Sequence, residues 1–140
     1  MERNYQLVTN NRKTWEKYED HDYIGVIYME DGSFLDVLVQ TRDMLHRGWH
    51  LLSHPQASNL KPNQCPYKSI LISRKVSAAD RAKEIEMIEG SIAAYEKFTR
   101  GMIPPAWSEE ALGDFQTVDL AVIESAVYSS LMQQMMLGNV

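Results

Sequence analysis

The sequence contains a single cysteine, Cys65, so a framework of intramolecular disulfides is excluded. It also has no apolar run of about 18 residues, which a membrane-spanning helix requires. The N-terminus lacks the basic segment followed by an apolar segment that is typical of a secretion signal. We therefore expect a cytoplasmic protein without a membrane partner.

Basic residues are absent from residues 101–140, which carry five acids and no Lys or Arg. Residues 1–100 hold 14 Lys/Arg and 14 Asp/Glu, so no part of the chain has a large basic excess. Nucleic acids are bound through a basic surface that neutralises their phosphates. We therefore expect no nucleic-acid partner.

What is present is typical of one globular domain, because the 140 residues are 44% hydrophobic and 24% charged. Segments rich in β-branched and aromatic residues alternate with segments of helical periodicity. The predicted strands cover residues 5–9, 23–29, 49–52 and 67–73. The predicted helices cover residues 12–20, 34–47, a segment from a Ser77 cap to Arg100, and 118–137.

Two of the helices carry further signals in their sequences. Ser33 with Asp36 is a variant of the capping box, and Gly48 can adopt the left-handed conformation that ends a helix. The segment after Ser77 places apolar residues along one stripe. These residues are Ala82, Ile85, Ile88, Ile92 and Tyr95.

The alternation predicts an α/β fold with a small, mainly parallel four-stranded sheet of order 2-1-3-4, flanked by helices. Residues 1–101 would form the α/β domain, and residues 102–140 would form a linker and an added C-terminal helix. Ligands of such sheets bind beyond the carboxyl ends of the strands, where the strand order reverses. Strands 1 and 3 would be neighbours there, and a proline-rich loop of residues 53–66 would cover the crevice between them.

Several polar residues are expected at this crevice as ligand-binding candidates. Asn10 and Asn11 would donate hydrogen bonds or cap the first helix, two roles that are compatible. His54 would contact a ligand or anchor its loop, and the lysines would supply charge unless they are simply solvated. The full set of candidates is Thr9, Asn10, Asn11, Ser53, His54, Lys61 and Lys68.

Metal binding and catalysis receive less support from the sequence. His50 and His54 would lie about 13 Å apart along a strand that rises about 3.3 Å per residue, too far to share one ion, so we expect neither a metal nor another cofactor. No nucleophile, base and orienting group form a recognisable set. The alternative to a binding protein is a small transferase or hydrolase with His54 as general base and Cys65 as candidate nucleophile. Cys65 is otherwise expected to be a small buried residue.

Several motifs together resemble the GrdX family. They are TNN followed by EKY, then FLDVL, then RDMLHRGWHLLSHP, then KPNQCPYKSI, and they lie within about residues 6–100. The resemblance implies a cytoplasmic accessory protein linked to the glycine, sarcosine and betaine reductase systems of amino-acid-fermenting anaerobes, and a component of a reductase complex. It supplies no catalytic residues. We therefore expect an accessory protein that binds a small anionic metabolite or a partner peptide.

The last predicted helix is apolar around most of its circumference, so the domain alone would not cover it. We expect a homo-oligomer formed through this helix, most simply a two-fold dimer. The alternative is that the Pro104-Pro105 linker lets the helix fold wholly onto its own domain. The candidate contact residues are Leu120, Val127, Leu131 and Met135.

Overall fold

The computed structural model describes residues 3–56, 65–74, 80–103 and 105–136. Within these ranges it contains a four-stranded sheet and four helices. In chain order the elements are β1 (Tyr5–Thr9), α1 (Arg12–Tyr18), β2 (Ile24–Tyr28), α2 (Phe34–His46), β3 (His50–Leu51), β4 (Ser69–Ser73), α3 (Arg81–Thr99) and α4 (Glu109–Met136). Most of the proline-rich loop, with Lys61, lies outside the described residues, as do Ser77 and Pro104.

The sheet is mixed, with the order β2-β1-β4-β3, so the predicted order 2-1-3-4 and the mainly parallel arrangement were wrong. β1 is parallel to β2, whereas β4 is antiparallel to both β1 and β3. Parallel neighbours need a crossover, usually a helix, and the sequence between β3 and β4 holds three prolines and no helical periodicity. β4 therefore runs back beside β3 and continues to the centre of the sheet, where all five of its residues are buried.

The strands of the sheet present alternate residues to two different cores, as the two-residue period of a strand requires. On one face, Val8 packs with residues of α2 and α3 such as Leu38 and Ile88. On the other face, Leu7 packs with residues of α1 and α4 such as Ile123. The fold is therefore a three-layer arrangement with the sheet in the middle.

α2 begins and ends as its sequence predicts. The Ser33 hydroxyl accepts a hydrogen bond from the Asp36 N–H at 3.1 Å, and the Asp36 carboxylate accepts one from the Ser33 N–H at 2.8 Å. Gly48 has a φ of 105°, which only glycine adopts at little cost. The capping box is confirmed, and it fixes the start of α2 beside the ends of β1 and β2.

α3 begins at Arg81 with Asp80 as its N-cap, and the predicted cap Ser77 lies outside the described residues. The Asp80 carboxylate accepts a hydrogen bond from the Lys83 N–H at 3.1 Å. Ile88 and Ile92 of the predicted stripe are buried, but Ala82 is exposed because it lies in the first turn, ahead of the part that packs on the core.

α4 begins at Glu109, about two turns before the predicted start at Val118. Ser108 accepts a hydrogen bond from the Ala111 N–H at 3.1 Å, and two glutamates follow it in the first turn. Both features are helix-start signals. Gly113 lowers the helix propensity of this segment, and that concealed the true start. None of the described helices is both long enough and apolar enough to cross a membrane.

Candidate functional site

A cavity of about 380 Å³ lies beyond the carboxyl ends of β1 and β2. Its walls come from the residue after β1, the turn after β2 with the start of α2, the segment before β4, the end of α3 and the segment that leads into α4. Among the described residues, it is lined by Asn10, Glu30, Asp31, Gly32, Ser33, Phe34, Pro66, Tyr67, Tyr95, Thr99, Met102, Ile103, Pro105, Trp107 and Leu112. The end of the sheet thus holds a cavity, but its cover includes the α3–α4 connection, which the sequence analysis had not placed there.

Asn10 shapes this cavity by joining two distant segments of the chain. Its side-chain amide donates hydrogen bonds to the carbonyl oxygens of Gly32 at 3.0 Å and Pro66 at 2.9 Å. Its side-chain oxygen accepts one from the Lys68 N–H at 2.9 Å. Both amide protons are therefore used within the chain, and Asn10 holds the walls in place without a free donor for a ligand.

Asn11 is fully buried and connects α1 to α4. It is the N-cap of α1, since its side-chain oxygen accepts a hydrogen bond from the Lys13 N–H at 3.0 Å. Its side-chain amide donates to the Gln116 carbonyl and to the Asp119 carboxylate, both at 2.9 Å. The predicted capping role of Asn11 is confirmed, and its remaining donors hold α4 on the sheet.

Asp119 is the buried acceptor of a chain of hydroxyl groups. Ser69 Oγ donates to its carboxylate at 2.6 Å, and Thr9 Oγ1 lies 2.7 Å from Ser69 Oγ. Because the single proton of Ser69 goes to Asp119, Thr9 is the donor in the second bond. Burial raises the pKa of Asp119, although the hydrogen bonds from Ser69 and Asn11 and the charge of Lys68 act in the opposite direction. Thr9, which was expected to contact a ligand, is thus part of a buried network that ends at Asp119 of α4.

Lys68 is only 4% exposed, so the interpretation that it is simply a solvated lysine was wrong. Its ammonium group lies 5.9 Å from the centre of the Phe34 ring. Within the described part of the chain, no hydrogen bond or ion pair to this ammonium group is found. Burial lowers the pKa of Lys68, while the nearby Asp119 raises it. Lys68 is absent from the described lining residues, although Phe34 is one of them.

Ser53 and His54 lie away from the ends of β1, because β4 separates β1 from β3. Ser53 is buried, and its hydroxyl accepts a hydrogen bond from the Leu71 N–H at 2.9 Å. His54 is exposed, and its Nδ1 accepts one from the Gln56 N–H at 2.9 Å, a contact within its own loop. The predicted crevice between strands 1 and 3 therefore does not form, since those strands are not neighbours.

Cys65 is buried, and its thiol donates to the Tyr67 carbonyl at 3.5 Å. Burial raises the pKa of the thiol, which disfavours the thiolate that a nucleophile needs. No cluster of three His, Cys, Asp or Glu residues suited to a metal ion is found in the described ranges.

Most of the lining residues were not predicted from the sequence, because they come from five separate parts of the chain. Tyr95 and Thr99 belong to a helix that was predicted for its apolar stripe alone. Trp107 lies in a segment that was predicted to be a linker. Its ring packs edge to face on Phe115, with the two ring centres 4.7 Å apart. An aromatic residue so close to two prolines was the available signal that this segment packs on the body.

A comparison with protein families finds a match to the family model described as GrdX-like protein, over residues 6–128. The match extends beyond the expected limit near residue 100 and includes both the α3–α4 connection and Asp119. The comparisons found no matching curated protein and no matching solved structure. Because the family model covers nearly the whole chain, the protein belongs to the GrdX-like family.

Proposed function

We propose that this protein is a non-catalytic small-molecule-binding module whose site is the cavity at the ends of β1 and β2. The observation that carries the proposal is the cavity itself. Its volume of about 380 Å³ is within the range of small-molecule sites, roughly 300–1,000 Å³. Its walls are mostly apolar and aromatic with a few polar groups, which is the usual composition of such sites.

The cavity has a fixed base and an exposed rim. At the base, Asn10 holds the segments before α2 and before β4 together, so a ligand would not have to order them. At the rim, the side chains of Met102 and Ile103 are 49% and 89% exposed. A ligand that covers these side chains would remove apolar surface from water and gain affinity.

A binding role fits the described side chains better than a catalytic one. Cys65 is buried with a raised pKa, and His54 is engaged by its own loop. The lining residues contain no cysteine or histidine in the described part of the chain. The candidate nucleophile Cys65 and the candidate base His54 are therefore not among the described lining residues.

The proposal for the cellular role is supported by the resemblance to the family. We propose that the protein acts in the cytoplasm as an accessory component of a glycine, sarcosine or betaine reductase system, as the resemblance of its motifs to the GrdX family implies. Copurification of reductase subunits with the tagged full-length chain from cells that express the reductase tests this role. Absence of these subunits from the purified material would contradict it.

Thermal unfolding with a panel of small molecules tests the binding function. The panel contains glycine, sarcosine, betaine, choline and acetyl phosphate. Thr99→Trp places an indole in the cavity, and Lys97→Trp places the same group on the exposed side of the same helix. We expect at least one compound to raise the Tm of the wild type and of Lys97→Trp, and to leave the Tm of Thr99→Trp unchanged. If no compound raises the Tm, or if Thr99→Trp responds like the wild type, the proposed site is wrong.

A further inference from the structure

The charged residues among the described lining of the cavity are both acidic. Glu30 and Asp31 are the charged residues among its described lining, and no Lys or Arg accompanies them there. The positive end of the α2 dipole lies beside the cavity, but Ser33 and the Asp36 carboxylate already occupy it. From this charge distribution we propose that the cavity binds a small organic cation, an ammonium group carrying apolar substituents. This inference rests on the proposed binding function and names its ligand class.

Aromatic rings line the cavity and would bind the ammonium group together with the carboxylates. Tyr95 stacks on Phe34 with ring centres 5.6 Å apart, and Lys68 also approaches the Phe34 ring. Tyr67 and Trp107 are lining residues whose rings are not stacked face to face on another described ring. The negative face of an aromatic ring attracts an ammonium group, and methyl substituents on the nitrogen add apolar contact.

An anionic ligand, which the sequence analysis favoured, is less compatible with these walls. The amide protons of Asn10 and Asn11 are donated within the chain. The Lys68 ammonium group lies 5.9 Å from the centre of the Phe34 ring, and Lys68 is not among the described lining residues. An anion in the cavity would therefore face Glu30 and Asp31 without a cation among the described lining residues to compensate them.

The test compares choline with 3,3-dimethylbutan-1-ol, which has the same shape with carbon in place of the charged nitrogen. Binding is measured by calorimetry on the full-length chain, with acetyl phosphate as the anionic probe. The double variant Glu30→Gln with Asp31→Asn removes both lining charges at nearly constant shape. Its matched control is Glu19→Gln with Asp20→Asn, which changes the same two residue types at exposed positions away from the cavity.

We expect choline to bind at least about tenfold more tightly than the neutral alcohol, because only choline gains the ring and carboxylate contacts. The Glu30 and Asp31 double variant should weaken choline binding about fivefold, a value set by the modest energy of solvent-exposed charge pairs. The Glu19 and Asp20 control should bind choline as the wild type does. Thr99→Trp should abolish choline binding.

The remaining outcomes separate the two proposals. Equal binding of choline and the neutral alcohol would overturn the cation class and leave the cavity as a binding site. Binding of acetyl phosphate that Thr99→Trp abolishes would do the same and favour an anion. Choline binding that survives Thr99→Trp would place the cation elsewhere and overturn this inference. If none of these probes and no member of the earlier panel binds, both proposals fail.

Discussion

At the scale of single residues, Lys68 is the least expected feature of the protein. A lysine that is almost fully buried, without a hydrogen-bonded carboxylate in the described structure, loses hydration that its surroundings only partly replace. The aromatic ring of Phe34 and the charge of Asp119 are its two described compensations. Burial therefore lowers the pKa of Lys68, and this shift makes the stability of the fold depend on pH.

The direction of that dependence follows from proton linkage. The unfolded chain binds the Lys68 proton more tightly than the folded chain, so the free energy of unfolding should rise as the pH increases toward 10.5. We expect this rise to be absent from Lys68→Met, which keeps the length of the side chain and removes the charge. Urea unfolding at several pH values between 7 and about 9.5 measures it.

Other titratable groups determine the upper limit of the pH range and require a control variant. Tyr5, Tyr18 and Tyr28 have raised pKa values, about 12 for Tyr18, so above pH 10 they contribute the opposite trend. Asp119 and Cys65 also have raised pKa values, and the stability that each contributes is lost as the pH rises through its folded pKa. Both groups are present in the wild type and in Lys68→Met, so the comparison of these two proteins isolates Lys68. Lys97→Met, at an exposed position, is the control and should keep the wild-type slope. An identical slope for Lys68→Met would contradict the prediction.

At the scale of elements, the docking of α4 depends on buried polar groups as much as on apolar ones. Ile123 and Val127 pack against the sheet, while Asp119 accepts hydrogen bonds from Ser69 and Asn11. An Asp in a largely apolar helix had no assigned role in the sequence analysis, because a one-dimensional pattern does not show which polar group meets a partner across the fold. Its partners come from β4 and from the cap of α1, both distant in sequence.

Substitutions of Asp119 separate its hydrogen-bonding role from its charge. Asp119→Ala should lower the free energy of unfolding by about 2–3 kcal/mol, because the donors of Ser69 and Asn11 would then be buried without an acceptor. Asp119→Asn should cost less, since it keeps an acceptor oxygen and removes a charge that burial disfavours. Asp114→Ala, at an exposed position of the same helix, should change the stability by less than about 0.5 kcal/mol. Urea unfolding measures all three variants, and a loss for Asp119→Ala no larger than for Asp114→Ala would contradict this role.

The limits of a helix were predictable from the sequence where capping residues and glycines determine them. The capping box of Ser33 and Asp36 and the left-handed Gly48 predicted the limits of α2 to within a residue. The direction of β4 was not predictable from its own residues, because a continuous apolar run is compatible with any central strand. The predicted crevice lay between strands 1 and 3, whereas the cavity lies beyond the ends of β1 and β2. The wrong strand order placed His54 at the expected site and left out Tyr67 and Trp107.

At the scale of the whole molecule, α4 leaves one apolar stripe uncovered. Of the predicted contact residues, Val127 is buried and Leu120 and Leu131 pack against the second core, whereas Met135 is exposed. The uncovered stripe consists of Tyr128, Met132, Met135 and Met136. We propose that this stripe is the interface of a two-fold dimer. Residues 125–136 carry no charge, so two copies can meet there without like-charge repulsion.

Light scattering after size-exclusion chromatography tests the dimer on the full-length chain. We expect a dimer for the wild type at tens of micromolar, and a monomer for the double variant Tyr128→Glu with Met132→Glu, because each interface would then bury four carboxylates. Ala93→Glu, at an exposed position of α3, is the control and should remain dimeric. A monomeric wild type, or a double variant that remains dimeric, would overturn the proposal.

The bonds of Asn11 also have a consequence for the order in which the chain folds as it is made. Its partners in α4, the Gln116 carbonyl and the Asp119 carboxylate, are 105 and 108 residues further along the chain. Ser69, which also donates to the Asp119 carboxylate, precedes Asp119 by 50 residues. Proteins are synthesised from the N-terminus, so the sheet can form before residue 119 has left the ribosome. Until then the side-chain amide of Asn11 lacks its two acceptors in α4, Ser69 lacks the Asp119 carboxylate, and the face that α4 will cover is open. Docking of α4 on the sheet must therefore follow its synthesis, which places the completion of this buried network late in folding.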